Sequence, residues 1–325
     1  MISMIDAVQP VSGADMKAAR ARLAGLALVS PLVACDGAPA GKTVRLKLEN
    51  LQPIGSFKIR PIGNAVLSKA PSDLNRGIYT TSSGNSALGV AWMARRLGIA
   101  ATAVVPDNAP EAKLQKLRLL GAHIDVRSSD EWWRAIEAGP LPDQEGLYID
   151  AVRDSASVAG DATIGQEVLE QAPDVEAILV PFGGGGLACG IACAVREHKP
   201  SVKIIACELA SAHPLKAAFD AGTPVKTPHE SGFVSGVGHG CVLPEMWPLV
   251  RSLIHEVIIV SLMEVAAAIK FMAEHNRVIA EGAGAVSVAA AVSGRYLQNN
   301  VCAVVSGGNL DNQMLTTILQ GGVPS

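Results

Sequence analysis

The sequence lacks the features that mark several broad classes of protein. Its 27 basic and 30 acidic residues give a net charge of −3, so no basic excess indicates nucleic acid or an anionic membrane as a partner. No apolar run reaches signal-peptide or transmembrane length without glycine, proline or charge. The six cysteines include no CxxC pair, and several stand inside apolar runs where buried free thiols are common. We therefore expect a cytoplasmic protein whose partner is a small neutral or zwitterionic molecule.

Repeats, low-complexity tracts and long polar linkers are also missing from the chain. What is present is 325 residues, of which 49% are hydrophobic and 18% are charged. This composition is typical of a globular chain, and the length allows one large domain or two lobes.

Strand and helix patterns alternate along most of the chain. Strand-like runs at 78–81, 101–105 and 124–127 are each followed by a helical pattern, and a second series runs from a helix at 161–171 to a buried strand at 301–305. Alternation at this interval predicts βαβ units. The predicted fold class is therefore α/β, with open parallel sheets, helices on both faces, and two lobes with a ligand between them.

One stretch, 48–60, carries the lysine that we expect to be chemically active. It follows a strand-like run at 44–48. Pro53 and Gly55 then indicate a turn, which places Lys58 at a strand-to-helix junction. A lysine fixed there can be desolvated and its pKa lowered, which suits Schiff-base chemistry. Taken alone, the lysine could also be a surface residue at a turn.

Four consecutive glycines stand between a buried strand and a helix, namely Gly183, Gly184, Gly185 and Gly186. Such a loop can point backbone N–H groups and a helix N-terminus at one anion, as a phosphate requires. The loop lacks the Lys-Ser/Thr of a P-loop and the spacing of a dinucleotide fingerprint, so ATP and NAD are poor candidates. One phosphate monoester fits better, and a flexible or tightly packed turn is the alternative.

Two further polar clusters follow predicted strands. Ser82, Ser83, Asn85 and Ser86 open a helix, where they could cap its end or help to hold a carboxylate. Ser306 follows the last strand, at the edge where parallel sheets place ligands, and would supply a neutral hydroxyl.

Together, the lysine, the glycine loop and Ser306 could bind a cofactor that has an aldehyde, a phosphate and a ring nitrogen. Pyridoxal 5′-phosphate (PLP) has all three. From Leu48-Glu49-Asn50 to Ser306-Gly307-Gly308-Asn309, the ordered motifs resemble the fold type II PLP enzymes of the threonine/serine dehydratase group, which includes serine racemase. The resemblance implies a large PLP-binding domain of residues 1–68 and 153–325. It also implies a small α/β domain of residues 69–152 that carries the asparagine loop, and a homodimer.

The resemblance also implies a role for each motif. Lys58 would bond the cofactor and then act as the base for the α-proton, while the four glycines would hold the phosphate. Phe57 would lie against the pyridine face, Asn85 would bond the ring hydroxyl, and Ser306 would meet the ring nitrogen. The substrate carboxylate would be bound by Ser82, Ser83, Asn85 and Ser86. Ser83 occupies the position of the opposite-face base of serine racemase.

The implied reaction is β-elimination of a β-hydroxy-α-amino acid such as L-threonine or L-serine, giving a 2-keto acid and ammonia. A hydroxyl at the ring nitrogen cannot keep the pyridine protonated, which favours prompt loss of a β-substituent. Four alternatives stay open: a dehydratase for a bulkier substrate such as phenylserine, an amino-acid racemase, a β-replacement enzyme, and a cofactor-free or PLP-sequestering binding protein. Because only residues 311–325 follow the last motif, we expect no appended regulatory domain.

The sequence departs from the family pattern at several positions. Ser86 stands where the family commonly has histidine, and the metal-site pattern of serine racemase, which begins at Glu208, ends here on Pro214. We therefore expect no metal ion. Trp132 and Trp133 stand where the racemase supplies a substrate-binding arginine, and they would either pack at the lobe interface or favour a bulkier substrate.

Two weaker candidates remain. Glu281 matches a family segment near the cofactor, but a carboxylate there could equally complement a helix dipole. His239 and Cys241 lie together on a Gly-rich loop, where they could suggest a thiol nucleophile but more often border a site.

Overall fold

The computed structural model describes residues 6–228, 232–238 and 240–324. Ten strands are formed in these ranges: β1 (Leu32–Ala34), β2 (Thr43–Leu48), β3 (Ile78–Thr81), β4 (Ala101–Pro106), β5 (His123–Arg127), β6 (Leu147–Tyr148), β7 (Ala177–Pro181), β8 (Lys203–Leu209), β9 (Glu256–Val260) and β10 (Asn300–Val305). The α-helices in the same ranges are α1 (Gly13–Leu23), α2 (Ile59–Leu67), α3 (Asn85–Leu97), α4 (Glu111–Leu119), α5 (Ser129–Ala138), α6 (Ser155–Gln171), α7 (Gly186–His198), α8 (Pro214–Ala221), α9 (Trp247–Leu253), α10 (Leu262–Phe271), α11 (Gly282–Ser293) and α12 (Asn312–Leu319).

The larger of two sheets has six strands in the order β1-β2-β10-β7-β8-β9. All neighbours in it are parallel except β1 and β2. Both faces of the sheet are covered by apolar clusters, and strands such as β7 and β10 accordingly consist almost entirely of apolar residues. Because β2, β10 and β7 are adjacent and parallel, the segments that follow them meet at one edge of the sheet.

The smaller sheet has four parallel strands in the order β5-β4-β3-β6, and it contributes to a separate apolar cluster with α3 and α4. Each of these strands alternates with a helix, as the sequence pattern predicts. The expected α/β class is thus confirmed, while the proposed domain boundaries at 68/69 and 152/153 stay a prediction.

Helix α2 packs against elements on both of its sides. Its apolar residues, including Ile59 and Ile62, pack with the small-sheet cluster. Its opposite face contacts α6 so closely that a Cβ added at Gly160 would collide with the Arg60 carbonyl. The helix that begins beside Lys58 is therefore fixed against both lobes.

Two predicted helix boundaries are wrong. The helix predicted at 161–171 begins at Ser155, because Asp154 caps it by accepting a hydrogen bond from the Ala156 N–H at 2.8 Å. The capping box at Ser261 predicts a helix that continues to Asn276, but the α-helix ends at Phe271 and Met272–Asn276 form a turn of π-helix.

Several elements were not predicted, among them β1, α9 and α12. Short elements such as these offer too few residues for a clear periodic pattern. All six cysteines are free thiols, as expected. Within the described ranges, no helix combines the length and apolar character needed to cross a membrane.

Candidate active site

Lys58 lies at the first turn of α2, at the helix junction that the sequence predicts. Its Nζ is 4.7 Å from the centroid of the Phe57 ring. Burial lowers the pKa of the Lys58 amine, while the carboxylates of Asp161 and Asp150 act to raise it. A lowered pKa increases the fraction of neutral amine, which is the form that acts as a nucleophile or a base.

The lysine segment is tied to the segment that follows β10. The Phe57 N–H donates to the Ser306 carbonyl at 2.9 Å, and the Gly308 N–H donates to the Gly55 carbonyl at 2.8 Å. Between these two bonds, Ser56 and Gly307 form an antiparallel bridge. The predicted lysine and serine motifs are therefore brought together by backbone pairing.

The Ser306 residue is only 3% exposed. Its side chain makes no hydrogen bond with any described residue, so its hydroxyl is left available to a ligand. A neutral hydroxyl suits an unprotonated pyridine nitrogen, to which it can donate a proton in a hydrogen bond.

Asn85 joins the small lobe to this site. Its Nδ2 donates to Glu281 Oε1 at 2.6 Å, and its Oδ1 accepts from Asn309 Nδ2 at 2.8 Å. Asn309 Nδ2 also donates to the Ile54 carbonyl at 2.9 Å. The amide of Asn85 is thereby oriented, and its second N–H is left for a ligand.

Glu281 is part of the site and not merely a helix-dipole carboxylate. Burial raises the pKa of this carboxyl to about 7, and the hydrogen bond from Asn85 lowers it in part. Its backbone N–H also donates to the Gly307 carbonyl at 3.0 Å. A Cβ at Gly307 would collide with Glu281 Oε1, so the glycine is required for this close approach.

The glycine loop connects β7 to α7, as predicted. Gly185 caps the helix with φ 97°, a left-handed backbone that favours glycine. The first helical N–H groups have no acceptor within the helix, and residues 183–185 donate no backbone hydrogen bond to any described residue. These groups are left available to an anion, and their role as a phosphate cradle stays a prediction.

A turn that sequence reasoning missed packs against the glycine loop. A Cβ at Gly184 would lie 2.9 Å from Val152 Cγ1, and one at Gly186 would lie 3.2 Å from Val152 Cα. Asp150 stabilises this turn by accepting hydrogen bonds from the Val152 and Arg153 N–H groups at 2.9 and 3.0 Å. No motif in the sequence indicated this contact.

The serine cluster lies at the start of α3, where Gly84 is the N-cap. Ser82 Oγ accepts from the Gly84 N–H at 3.1 Å, which is a local serine turn just before the helix. The partly buried side chains of Ser83 and Ser86 make no hydrogen bond with any described residue. They therefore stay available to a ligand at this helix N-terminus.

A buried ionic network lies behind the lysine segment. Arg60, 2% exposed, donates to Glu49 and to Glu167, and Lys47 donates to Glu167 at 2.6 Å. Burial alone would raise the pKa of Glu49, but Arg60 and the hydrogen bonds from Arg60 and Ser30 lower it overall. The glutamate of the 48–50 motif thus anchors the segment that carries Lys58.

Other predicted candidates lie outside this cluster. Trp132 Nε1 donates to the Val104 carbonyl at 3.0 Å and so anchors α5 to the small sheet. Glu208 accepts the N–H groups of Leu215 and Lys216 at 2.8 and 2.9 Å and thereby caps α8. The absence of a metal stays a prediction.

The Cys241 thiol does not have the character of a nucleophile. Burial raises its pKa, which disfavours the reactive thiolate. His239 lies outside the described residues.

The donors at this sheet edge match the three parts of PLP. Unpaired backbone N–H groups suit the phosphate, a lysine of lowered pKa suits the aldehyde, and the unpartnered Ser306 hydroxyl suits the ring nitrogen. Fold and site together define an enzyme of the two-lobed α/β class that uses this cofactor.

Comparison with known proteins agrees. The family model for pyridoxal-phosphate dependent enzymes matches residues 23–307, and the chain belongs to this family. It is 37% identical to an L-threonine ammonia-lyase of Geobacter sulfurreducens over 288 residues, covering 87% of this chain and 71% of that protein.

Solved structures give the same result. Maize serine racemase superposes with a TM-score of 0.85 at 28% identity, over 96% of this chain and 98% of that one. A processed threonine deaminase of Solanum lycopersicum superposes with a TM-score of 0.83 at 27% identity, over 99% and 98%. The expected fold type II architecture, the PLP cofactor and the class of PLP-dependent lyases are confirmed.

Proposed function

We propose that this enzyme removes water and ammonia from a β-hydroxy-α-amino acid, with L-threonine and L-serine as its first substrates. The observation that carries the proposal is the pairing of the Lys58 segment with the segment of Ser306. It places a basic amine and a neutral hydroxyl at the same sheet edge. The names of the threonine ammonia-lyase and threonine deaminase relatives support the same substrate class.

Each motif has a proposed task in binding. The N–H groups of Gly183, Gly184, Gly185 and Gly186 would hold the phosphate of PLP. Phe57 would contact the pyridine face, Ser306 would bond the ring nitrogen, and the free N–H of Asn85 would bond the ring hydroxyl. Ser82, Ser83, Asn85 and Ser86 would bind the substrate carboxylate at the N-terminus of α3.

When bound, PLP withdraws electrons from the α-carbon of the amino acid and so acidifies the α-proton. Lys58 accepts this proton on Nζ, because burial favours its neutral form. The Lys58 ammonium would give this proton to the β-hydroxyl, which leaves as water, and hydrolysis of the released enamine gives the 2-keto acid and ammonia.

Racemisation is the second candidate, and it is favoured by Ser83. A hydroxyl opposite Lys58 could exchange a proton on the other face of the α-carbon, and the Ser83 side chain has no hydrogen-bond partner among the described residues. The resemblance to serine racemase supports this alternative. A phenylserine-type substrate gains less support, because Trp132 uses its N–H to anchor α5.

The test is to incubate the holoenzyme separately with L-threonine, L-serine and L-threo-phenylserine. Keto acid, visible absorption and the chirality of the remaining substrate are followed together. We expect keto acid from threonine or serine. Keto acid from phenylserine alone would show that the enzyme acts on the bulkier substrate. Racemised substrate without keto acid would show that the enzyme is a racemase and not a lyase.

Lys58→Ala should abolish both the lysine-bound absorption band and turnover. Lys69→Ala is the matched control, because Lys69 follows the same helix and pairs with Asp154, 3.5 Å away. Retained turnover in Lys58→Ala would contradict the mechanism.

A further inference from the structure

A carboxylate that the proposed mechanism does not use is buried close to Lys58. Asp161 lies on α6 and is fully buried. Neither of its carboxylate oxygens has a hydrogen-bond partner among the described residues. Buried carboxylates are ordinarily paired, because an isolated buried charge is costly.

Close packing fixes the position of Asp161. A Cβ added at Gly190 on α7 would lie 2.5 Å from Asp161 Cβ, so the first turns of α7 pass directly over it. The preceding residue, Gly160, packs on the Arg60 carbonyl at the start of α2. Asp161 therefore lies between the helix that begins at the glycine loop and the helix that begins at Lys58.

Lys58 is the cation that remains for this carboxylate. The charged or titratable groups that act on the pair are Lys58, Arg60, Glu49, Asp150 and Cys189. Arg60 is already bonded to two glutamates, and Asp150 is bonded to Arg153. Burial raises the pKa of Asp161 to about 8, and Lys58 is the strongest influence that lowers it.

We propose that Asp161 is a positioning residue that acts as the counterion of Lys58 and stores the proton that Lys58 gives up. The two groups share one proton: either Lys58 is an ammonium and Asp161 a carboxylate, or Lys58 is a neutral amine and Asp161 a neutral acid. The neutral amine would then be free to bond the aldehyde of PLP with loss of water, and Asp161 would return its proton to the Lys58 nitrogen and become a carboxylate again. That carboxylate would compensate the ammonium charge when Lys58 later takes the α-proton.

This inference rests on the assignment of Lys58 to the cofactor, and its test does not use turnover. The rate at which apoprotein takes up PLP is measured against pH by absorbance, for the wild type and for Asp161→Asn. The neutral amine is the reactive form, so the midpoint of the profile reports the pKa of Lys58. Without its counterion the ammonium is less stable, and we expect the midpoint to fall by about one unit or more.

Two further variants separate charge from structure. Asp161→Glu keeps the carboxylate and should bring the midpoint back toward the wild-type value. Glu208→Gln neutralises another buried carboxylate, one that caps α8, and should leave the midpoint unchanged. If Asp161→Asn does not fold, the smaller neutral variant Asp161→Ser should give the same shift.

An unchanged midpoint in the neutral variants would overturn the inference, as would an equal shift in Glu208→Gln. Borohydride reduction followed by peptide mass spectrometry of the wild type tests the assignment of Lys58 separately. Reduced PLP on another lysine would remove the proposed mechanism itself, whatever the Asp161 profiles show.

Discussion

Burial and a hydrogen bond have opposite effects on the pKa of the Glu281 carboxyl group. Burial dominates and raises its pKa to about 7. Its partner Asn85 is the residue proposed to bond the cofactor ring, so the charge of Glu281 bears on how firmly that amide is oriented. An ionised acceptor bonds an N–H more strongly than a neutral one.

Glu281→Gln should therefore weaken PLP binding by about fivefold above neutral pH, which corresponds to about 1 kcal/mol between an ionised and a neutral acceptor. Wild-type affinity should fall as the pH decreases through about 7, where Glu281 becomes protonated. The variant should lack that decrease. Titration of apoprotein with PLP at several pH values measures both effects.

The control for this prediction is Glu208→Gln, because burial also raises the pKa of Glu208 to about 7. This variant should keep the wild-type pH dependence of PLP binding. An unchanged acid limb in Glu281→Gln would show that Asn85 is oriented by Asn309 alone.

The glycine loop shows how one element combines a backbone requirement with a binding task. Gly185 has φ 97°, and its added Cβ would lie 3.3 Å from Val250 Cγ2. Gly222 ends α8 with a similar left-handed backbone, φ 73°, and nothing lies within 4 Å of its added Cβ. A substitution at Gly222 therefore measures the cost of backbone strain alone, whereas the same substitution at Gly185 also changes the shape of the glycine loop.

Gly185→Ala and Gly222→Ala should each lower the free energy of unfolding by about 1–2 kcal/mol, since alanine is strained at positive φ. Only Gly185→Ala should also weaken PLP binding. Urea denaturation of the apoprotein and PLP titration measure the two quantities. Equal PLP affinities in the two variants would argue against a phosphate site at this loop.

The start of α2 depends on charges that are buried together. Arg60→Met leaves the carboxylates of Glu49 and Glu167 without their main cation, so we expect the free energy of unfolding to fall by about 3–5 kcal/mol. Arg20→Met breaks an exposed pair with Glu170 and should cost less than about 1 kcal/mol. Similar losses in the two variants, measured by urea denaturation, would contradict the importance of this network.

For the whole molecule, three buried carboxyl groups contribute in the same direction to the response of stability to pH. Burial raises the pKa of Asp161 to about 8 and those of Glu208 and Glu281 to about 7. A raised pKa means that the folded state binds more protons than the unfolded state. The stabilisation is fully present below the unfolded pKa and is lost as the pH rises through the folded pKa.

Stability of the apoprotein should therefore decrease as the pH rises from about 5 to about 8. Urea denaturation across this range measures the slope, and the double variant Glu208→Gln/Glu281→Gln should reduce it. Stability that rises with pH over the range would show that these carboxyls are ionised without cost in the folded protein.

Local rules explain which features could be predicted from the sequence. The junctions of β7 with α7 and of β3 with α3 follow from hydrophobic periodicity, glycine and capping residues, all within about ten residues of each other. The predicted start of the helix at 155–171 is six residues late, because its first turn of serine and alanine has no clear apolar period. Glu281 is only a weak candidate from the sequence for a different reason, since its partner Asn85 is far away along the chain.

The sequence by itself determined the fold class, the order of the motifs and the chemical groups proposed to bind PLP, because these depend on residue type and short spacing. Only the tertiary structure decided which polar groups pair. Asn85 and Glu281 are 196 residues apart in the chain, and Arg60 and Glu167 are 107 apart. The isolation of Asp161 beside Lys58 likewise depends on how α2, α6 and α7 pack, because packing determines desolvation, and desolvation determines the protonation of a buried group.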